Sequence, residues 1–283
     1  HVVCRRQRQM CIRDSDELYN KTFDGVGVTR ASYGEGEQVA SELLESHAKK
    51  LGLVIDHDAA GNIYMTMRGE SQEAPPIVIG SHIDSVAQGG NFDGAAGVIS
   101  GLIACASVIE KGIRLPQDIR VMGIRAEESA WFGVSYIGSR SALGTLPKDA
   151  LDNAKRSDTG ITLGEHMFKA GCNPDALRAG DIYLPPSSLK AYLEVHIEQG
   201  PVLDSKDLPL GIVTGIRGNR RLPSAQCIGE YSHCGGVPRS YRKDAVLAVT
   251  DLVNYLDKIW DDCENEGTDF AFTVGKFFTD KEW

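Results

Sequence analysis

Positive charge is scarce in this 283-residue chain: 30 Lys and Arg stand against 39 Asp and Glu, a formal net charge of −9. Phosphate binding needs a basic face, so the balance argues against nucleic acid as a partner and for a small molecule. No apolar run reaches the roughly 18–20 residues that span a bilayer, and the start of the chain lacks the apolar stretch of a signal peptide. No membrane association and a cytoplasmic location are therefore expected. The seven cysteines contain no CxxC pair and are odd in number, which suggests neither a zinc ribbon nor a disulfide framework. Repeats and low-complexity tracts are also missing. The rest, 42% hydrophobic and 24% charged, suffices for one large or two medium domains.

Residues 1–14 cluster Arg5, Arg6, Arg8 and Arg13 without amphipathic period, and a non-native leader is expected there. From Tyr33 to Leu53, Val39, Leu43, Leu44, Ala48 and Leu51 recur at helical spacing. Two short strands should follow around a turn at Ala60, Gly61 and Asn62. Ile77, Val78 and Ile79 read as a buried strand that delivers Ser81, His82 and Asp84 to its C-terminal edge, where open α/β sheets bind ligands. Asp93 and Gly94 open a helix from about Ala95 to Lys111. A second strand, Ile119 to Ile124, leads into Glu127 and Glu128, and a third, Ala191 to Ile197, carries His196. Helices and loops are expected over 138–186. Beyond Gly211 a β-β-α-β order is expected: a strand at Ile212–Ile216, the basic stretch Arg217–Arg221, a strand ending at Ser232 and His233, a helix over Asp244–Trp260 and a strand over Asp269–Phe277. The domains then read as 15–211, metal-binding and catalytic, and 212–283, a smaller α/β domain.

Each polar residue alone has an ordinary reading. A lone His is usually structural, Asp93 would cap a helix, and Glu127 with Glu128 would be two solvated charges. Together, at the ends of buried strands, they are the residue types that hold divalent metals. Adjacent carboxylates can also divide the work, one binding metal while its neighbour accepts a proton from water.

Three stretches carry a resemblance: GSHIDSVAQGGNFDGAAGV (Gly80 to Val98), RAEESAWFG around the Glu pair, and EVHIEQGPVLD (Glu194 to Asp204). They resemble the M20 metallopeptidase superfamily, in its branch of N-carbamoyl-L-amino acid hydrolases, β-ureidopropionases and allantoate amidohydrolases. The resemblance implies an α/β fold, a mixed sheet flanked by helices as in zinc exopeptidases, with a smaller, incomplete lid or dimerisation domain. It implies two divalent ions (Zn, Mn, Co or Ni), with His82 and His196 on one, Asp93 bridging and Glu128 on the second. Glu127 would be general base for a metal-activated water, and Asp84 would orient His82. Gln199 would contact substrate, and His233, in GEYSHCGGVPRSYRKDA, would stabilise the oxyanion. The substrate would be an N-carbamoyl-L-amino acid or related ureido acid, the parent protein a homodimer.

The family pattern continues past Trp283, so a further ligand of the second ion is expected beyond the C-terminus, and the chain as it stands is expected to be inactive. Ser129, Ala130 and Trp131 depart from the Gly-Ser-Arg of many relatives, a change expected to bear on substrate preference. Allantoate is the rival substrate. A dipeptidase or aminoacylase ranks lower because His196 stands where those carry an acidic residue. A non-catalytic metal-binding fragment is the alternative of another class.

Overall fold

The computed structural model describes residues 13–215, 222 and 225–279. Residues 1–12 of the expected leader, the basic stretch after Ile216 and the last four residues lie outside them. The chain divides into two compact units, His1–Pro201 and Val202–Trp283.

Unit 1 is an α/β layer structure. A first helix, α1, includes residues 13–22. It is followed by α2 (Glu35–Lys50), β1 (Val54–His57), β2 (Ile63–Met67), β3 (Ile77–His82), α3 (Ala95–Glu110) and β4 (Ile119–Ile124). Short helices come next: α4 (Ser129–Phe132), α5 (Ile137–Ala142), α6 (Ala150–Asn153), α7 (Leu163–Lys169) and α8 (Pro174–Arg178). The last strand is β5 (Ala191–Leu193). The sheet has five strands in the order β1-β2-β4-β3-β5. β1 and β2 run antiparallel to each other, as do β2 and β4, while β3 is parallel to both β4 and β5.

Side chains alternate across a strand, and here both faces are covered. Ile63, Met65 and Met67 of β2 and Val121 of β4 join Leu43 and Leu44 of α2 and Val98 and Leu102 of α3 in one core. The intervening Tyr64, Val78, Met122 and Ile124 pack with Ala142 and Leu184 on the opposite face. This explains why all five residues of β2 are buried. A two-sided strand reads as a continuous apolar run rather than an alternating one. Helix α3 can lie directly on the sheet because it carries Gly101, where a Cβ would stand 2.9 Å from Val121 Cγ1.

β5 is shorter than the expected Ala191–Ile197. Its ladder with β3 ends at the pair Ile79–Leu193, and the chain beyond it, including His196, leaves the sheet. In unit 2, α9 (Val202–Ser205) and α10 (Ala245–Asn265) are the α-helices among the described residues. Asp244 caps α10 by accepting the Leu247 N–H at 3.0 Å. The strands expected at Ile212, before Ser232 and over Asp269–Phe277 are not formed among the described residues: those segments enter no ladder. A strand exists only by pairing its N–H and C=O groups, and the β-prone composition of these stretches supplies no partner. No helix among the described residues is long and apolar enough to cross a membrane.

Candidate active site

The C-terminal ends of β3 and β4 and the segment after β5 meet at one place. Sequence spacing alone gives no distances, and the structure supplies them. His82 Nε2 lies 3.3 Å from His196 Nε2 and 3.5 Å from Asp93 Oδ1, and His196 Nε2 lies 3.3 Å from the same oxygen. The three form the one group of potential metal-ligating residues among the described residues.

Proton positions follow from the outer contacts. His82 Nδ1 lies 3.0 Å from the Asp84 carbonyl oxygen and His196 Nδ1 lies 2.9 Å from that of Ile197. A carbonyl only accepts, so each Nδ1 carries a proton, and each Nε2 presents a lone pair in the neutral imidazole. Asp93 Oδ1 is buried and accepts no hydrogen bond. Three acceptor atoms thus converge, an arrangement that repels itself unless a cation, a proton or a metal ion, joins them. Donor atoms about 2.0–2.1 Å from a tetrahedral ion stand about 3.3–3.4 Å apart, which is the triangle observed. The residues fit a divalent metal.

The triangle already attracts a proton. Burial opposes charge on His82, but Asp84 and Asp93 outweigh it and push its pKa up to about 10. A metal ion must expel that proton. Affinity is therefore expected to rise by about tenfold per pH unit below that value for one proton displaced. Calorimetric titration of the metal in buffers of different ionisation enthalpy would count the protons, and release of none would contradict this picture.

Asp93 does not cap α3. Gly94 holds the N-cap position without a side-chain cap, leaving the Asp93 carboxylate to face the histidines. Its second oxygen, Oδ2, accepts from Gln199 Nε2 at 2.8 Å, so Gln199 here orients Asp93. Arg30, fully buried and absent from the sequence-based expectations, donates through Nε to the Ile83 carbonyl at 2.7 Å and through Nη2 toward the Asp93 carbonyl at 3.4 Å. Nothing in the sequence around Arg30 marks it.

Asp84, wholly buried, does more than accompany His82. Its Oδ1 is 3.4 Å from His82 Nδ1, but its well-formed bonds go elsewhere. Oδ1 accepts the Glu127 N–H and Oδ2 the Glu128 N–H, both at 3.0 Å, and the Ser32 hydroxyl donates to Oδ2 at 2.7 Å. One carboxylate thereby ties the end of β3 to the turn after β4. Asp84→Ala would strand these donors at about 1–3 kcal/mol each, and an unfolding midpoint unchanged in urea would refute that role.

Glu127 is half-buried, and its carboxylate receives the Ser139 N–H of α5 at 3.4 Å. Burial pushes its pKa up to about 7, where a general base works best at neutral pH. Glu128 is also half-buried, and burial raises its pKa while His82 and His196 pull it down. It stands near the triangle without belonging to the tight group. Trp131, one of the departures from the family pattern, is buried and donates Nε1–H to the Ser85 carbonyl at 2.7 Å. It braces the loop that follows β3.

In unit 2, His233 is exposed. Its Nδ1 accepts the N–H groups of Gly235 at 3.2 Å and Gly236 at 2.8 Å. A neutral imidazole that accepts at Nδ1 carries its proton on Nε2, so the His-Cys-Gly-Gly turn makes this side chain a hydrogen-bond donor.

The model of peptidase family M28 matches residues 62–163, the stretch that holds His82, Asp93, Glu127 and Glu128. An N-carbamoyl-L-amino acid amidohydrolase of Geobacillus stearothermophilus is 39% identical over 82% of this chain and 56% of its own length. The crystal structure of a hydantoinase/carbamoylase family amidase from Burkholderia ambifaria superposes with a TM-score of 0.74 at 29% identity, over 89% of this chain and 60% of that one. In sequence and in fold the chain is similar to this carbamoylase branch of amidohydrolases. A probable allantoate deiminase of Oryza sativa subsp. japonica is 33% identical over 84% of this chain and 49% of its own length. The chain spans less than two thirds of each of these carbamoylase-branch relatives. Its mixed sheet flanked by helices is the zinc-exopeptidase-like fold expected from the sequence.

Proposed function

We propose that this chain carries the machinery for hydrolysing the carbamoyl or ureido C–N bond of an N-carbamoyl-L-amino acid or related ureido acid. The observation that carries the reading is the triangle of His82, His196 and Asp93, with the half-buried Glu127 on the turn that Asp84 ties to the end of β3. Those three side chains would hold one divalent ion. Asp93 would be shared with a second, which Glu128 would also hold. The chemistry such a centre supplies when bound is polarisation of the scissile carbonyl and acidification of water.

The remaining steps belong to the side chains. Glu127 takes the proton of the attacking water and delivers it to the departing nitrogen, the dual role suited to a carboxyl held near pH 7. On the family resemblance, the Nε2–H of His233 would be the donor to the substrate carbonyl oxygen, where negative charge develops. Asp84 and Gln199 keep the Glu127–Glu128 turn and Asp93 in position. The free cysteines among the described residues suit a reducing, cytoplasmic setting. The open apolar face of α10, with Leu252 and Tyr255 more than half exposed, suits pairing of two copies.

The test is ammonia release by the full-length protein, loaded with Zn, Mn, Co or Ni in turn, from N-carbamoyl-L-amino acids and from allantoate. Ammonia from the carbamoyl compounds is expected. Release from allantoate alone would reassign the substrate, and release from neither would end the reading.

A further inference from the structure

Three consecutive backbone N–H groups, those of Ala126, Glu127 and Glu128, point into the protein, and each meets a buried carboxylate. Asp84 takes the second and third. The first goes to Glu37 Oε1 at 2.8 Å, and Glu37 sits on α2, 89 residues earlier in the chain. Glu37 is completely buried. Its other oxygen accepts the Tyr33 N–H at 2.7 Å and lies 2.8 Å from Arg125 Nε and 2.7 Å from Arg125 Nη2. Ala126 itself has φ +54°, a left-handed conformation that costs an L-residue with a Cβ about 1–2 kcal/mol. Such a conformation persists only where its surroundings over-determine it. The reversal it makes stands between the buried strand β4 and the Glu127–Glu128 pair.

We propose that Glu37 is a positioning residue for the Glu127–Glu128 pair: by accepting the Ala126 amide it holds the left-handed turn that aims the catalytic base. This rests on the reading of Glu127 as general base. A carboxylate suits the place because Oε1 can serve the turn while Oε2 serves Arg125 and Tyr33. An apolar residue would leave three buried donors unpaired. A purely structural Glu37–Arg125 ion pair would stabilise the fold without regard to where Glu127 points, and that difference is measurable.

Replacing a buried ion pair by apolar residues of similar size is often neutral for folding, whereas removing one partner is not. The informative variant of the full-length protein is therefore the double replacement Glu37→Leu with Arg125→Met, which removes the acceptor and keeps the packing. Its companion, Glu37→Gln with Arg125→Met, removes the ion pair and keeps an acceptor for Ala126. Asp118→Asn, which weakens the contacts to Arg68 and Gly69 at the opposite end of β4, controls for loss of stability. With the Leu/Met protein we expect kcat to fall about 10–100-fold, the scale of a misplaced catalytic group. KM should stay within about threefold, and the 126–128 amides should exchange at least about tenfold faster. The Gln/Met protein and the Asp118→Asn control should retain kcat.

Equal kcat in the Leu/Met and Gln/Met proteins, whether high or low, would overturn the proposal. Should the Leu/Met protein not fold, Glu37→Asp keeps the charge and withdraws it by one methylene. Lowered kcat with cooperative unfolding would then support the assignment, and wild-type kcat would overturn it. If the wild-type protein hydrolyses no ureido compound, the functional reading fails by itself, while amide exchange at 126–128 still reports on Glu37.

Discussion

Glu127→Gln is expected to lower kcat by about 10²–10⁴-fold, the range a general base contributes, with metal content unchanged. The carboxamide has the shape of the carboxylate and can still accept the Ser139 N–H, so the turn and its neighbours stay in place. It cannot take a proton. Glu127 also lies outside the group of His82, Asp93 and His196, which is why metal binding should survive. The opposite pattern is expected of Asp93→Ala, where metal is lost first and kcat follows. Turnover with the metal-loaded protein, and metal content by elemental analysis after gel filtration, separate the two. A Glu127→Gln protein with kcat within about tenfold of wild type would remove Glu127 from the chemistry.

Much of this site was legible because its residues fall where buried strands end. Ile77–Ile79 and Ile119–Ile124 are recognisable as strands from apolar runs, and the ends of both strands face the same layer edge. His82, Asp93 and His196 could therefore be grouped before any distance was known. The helices α2 and α10 were legible from their 3.6-residue period, and α3 from a long apolar run rich in Gly and Ala behind Asp93 and Gly94. Less legible was everything that depends on a carboxylate accepting main-chain N–H groups. Asp84 could be assigned to the imidazole two residues away, but its bonds to the Glu127 and Glu128 amides connect two strand ends and leave no mark in spacing. Glu37 looks like any acidic residue in the first turn of a helix, where the helix dipole already accounts for it. Arg30 has no local pattern at all, because its partners are carbonyl groups. The strands expected in unit 2 failed for a related reason. Alternating β-prone residues say that a segment can be extended, not that a neighbour pairs with it.

The balance of charge around the metal triangle gives these unmarked residues a common purpose. Asp84, Asp93, Glu127, Glu128 and Glu37 gather on one side of the sheet edge, and Arg30 and Arg125 are the buried cations among them. Both arginines are held by fixed acceptors, Arg30 by carbonyls and Arg125 by Glu37, so neither reaches into the triangle. The net field at the triangle stays negative. It favours a cation there, and the raised pKa of His82 is the same field acting on a proton.

Gly94→Ala should abolish tight metal binding without replacing any candidate ligand. Gly94 lies between the candidate ligand Asp93 and the first residue of α3, at φ +65°. A Cβ there would stand 2.5 Å from Cγ, Nδ1 and Cε1 of the His82 ring, far inside van der Waals contact. The ring has little room to move, since its Nδ1 is held by the Asp84 carbonyl and its Nε2 faces Asp93 and His196. The backbone has little room either, because leaving the left-handed region would swing Asp93 off the triangle. Conformational cost, about 1–2 kcal/mol for the left-handed alanine, is the smaller part. The larger part is that either His82 or Asp93 must be displaced. Loss of one ligand's orientation lowers metal affinity by at least about 10–100-fold, as changes to outer partners of a metal ligand do. The conformational cost alone should lower the unfolding transition of the metal-free protein by a few degrees, as about 1–2 kcal/mol does. Competition against a chromogenic chelator measures the affinity, and thermal unfolding in excess chelator measures the rest. An alanine protein that binds metal within about twofold of wild type would mean that His82 and Asp93 do not share an ion.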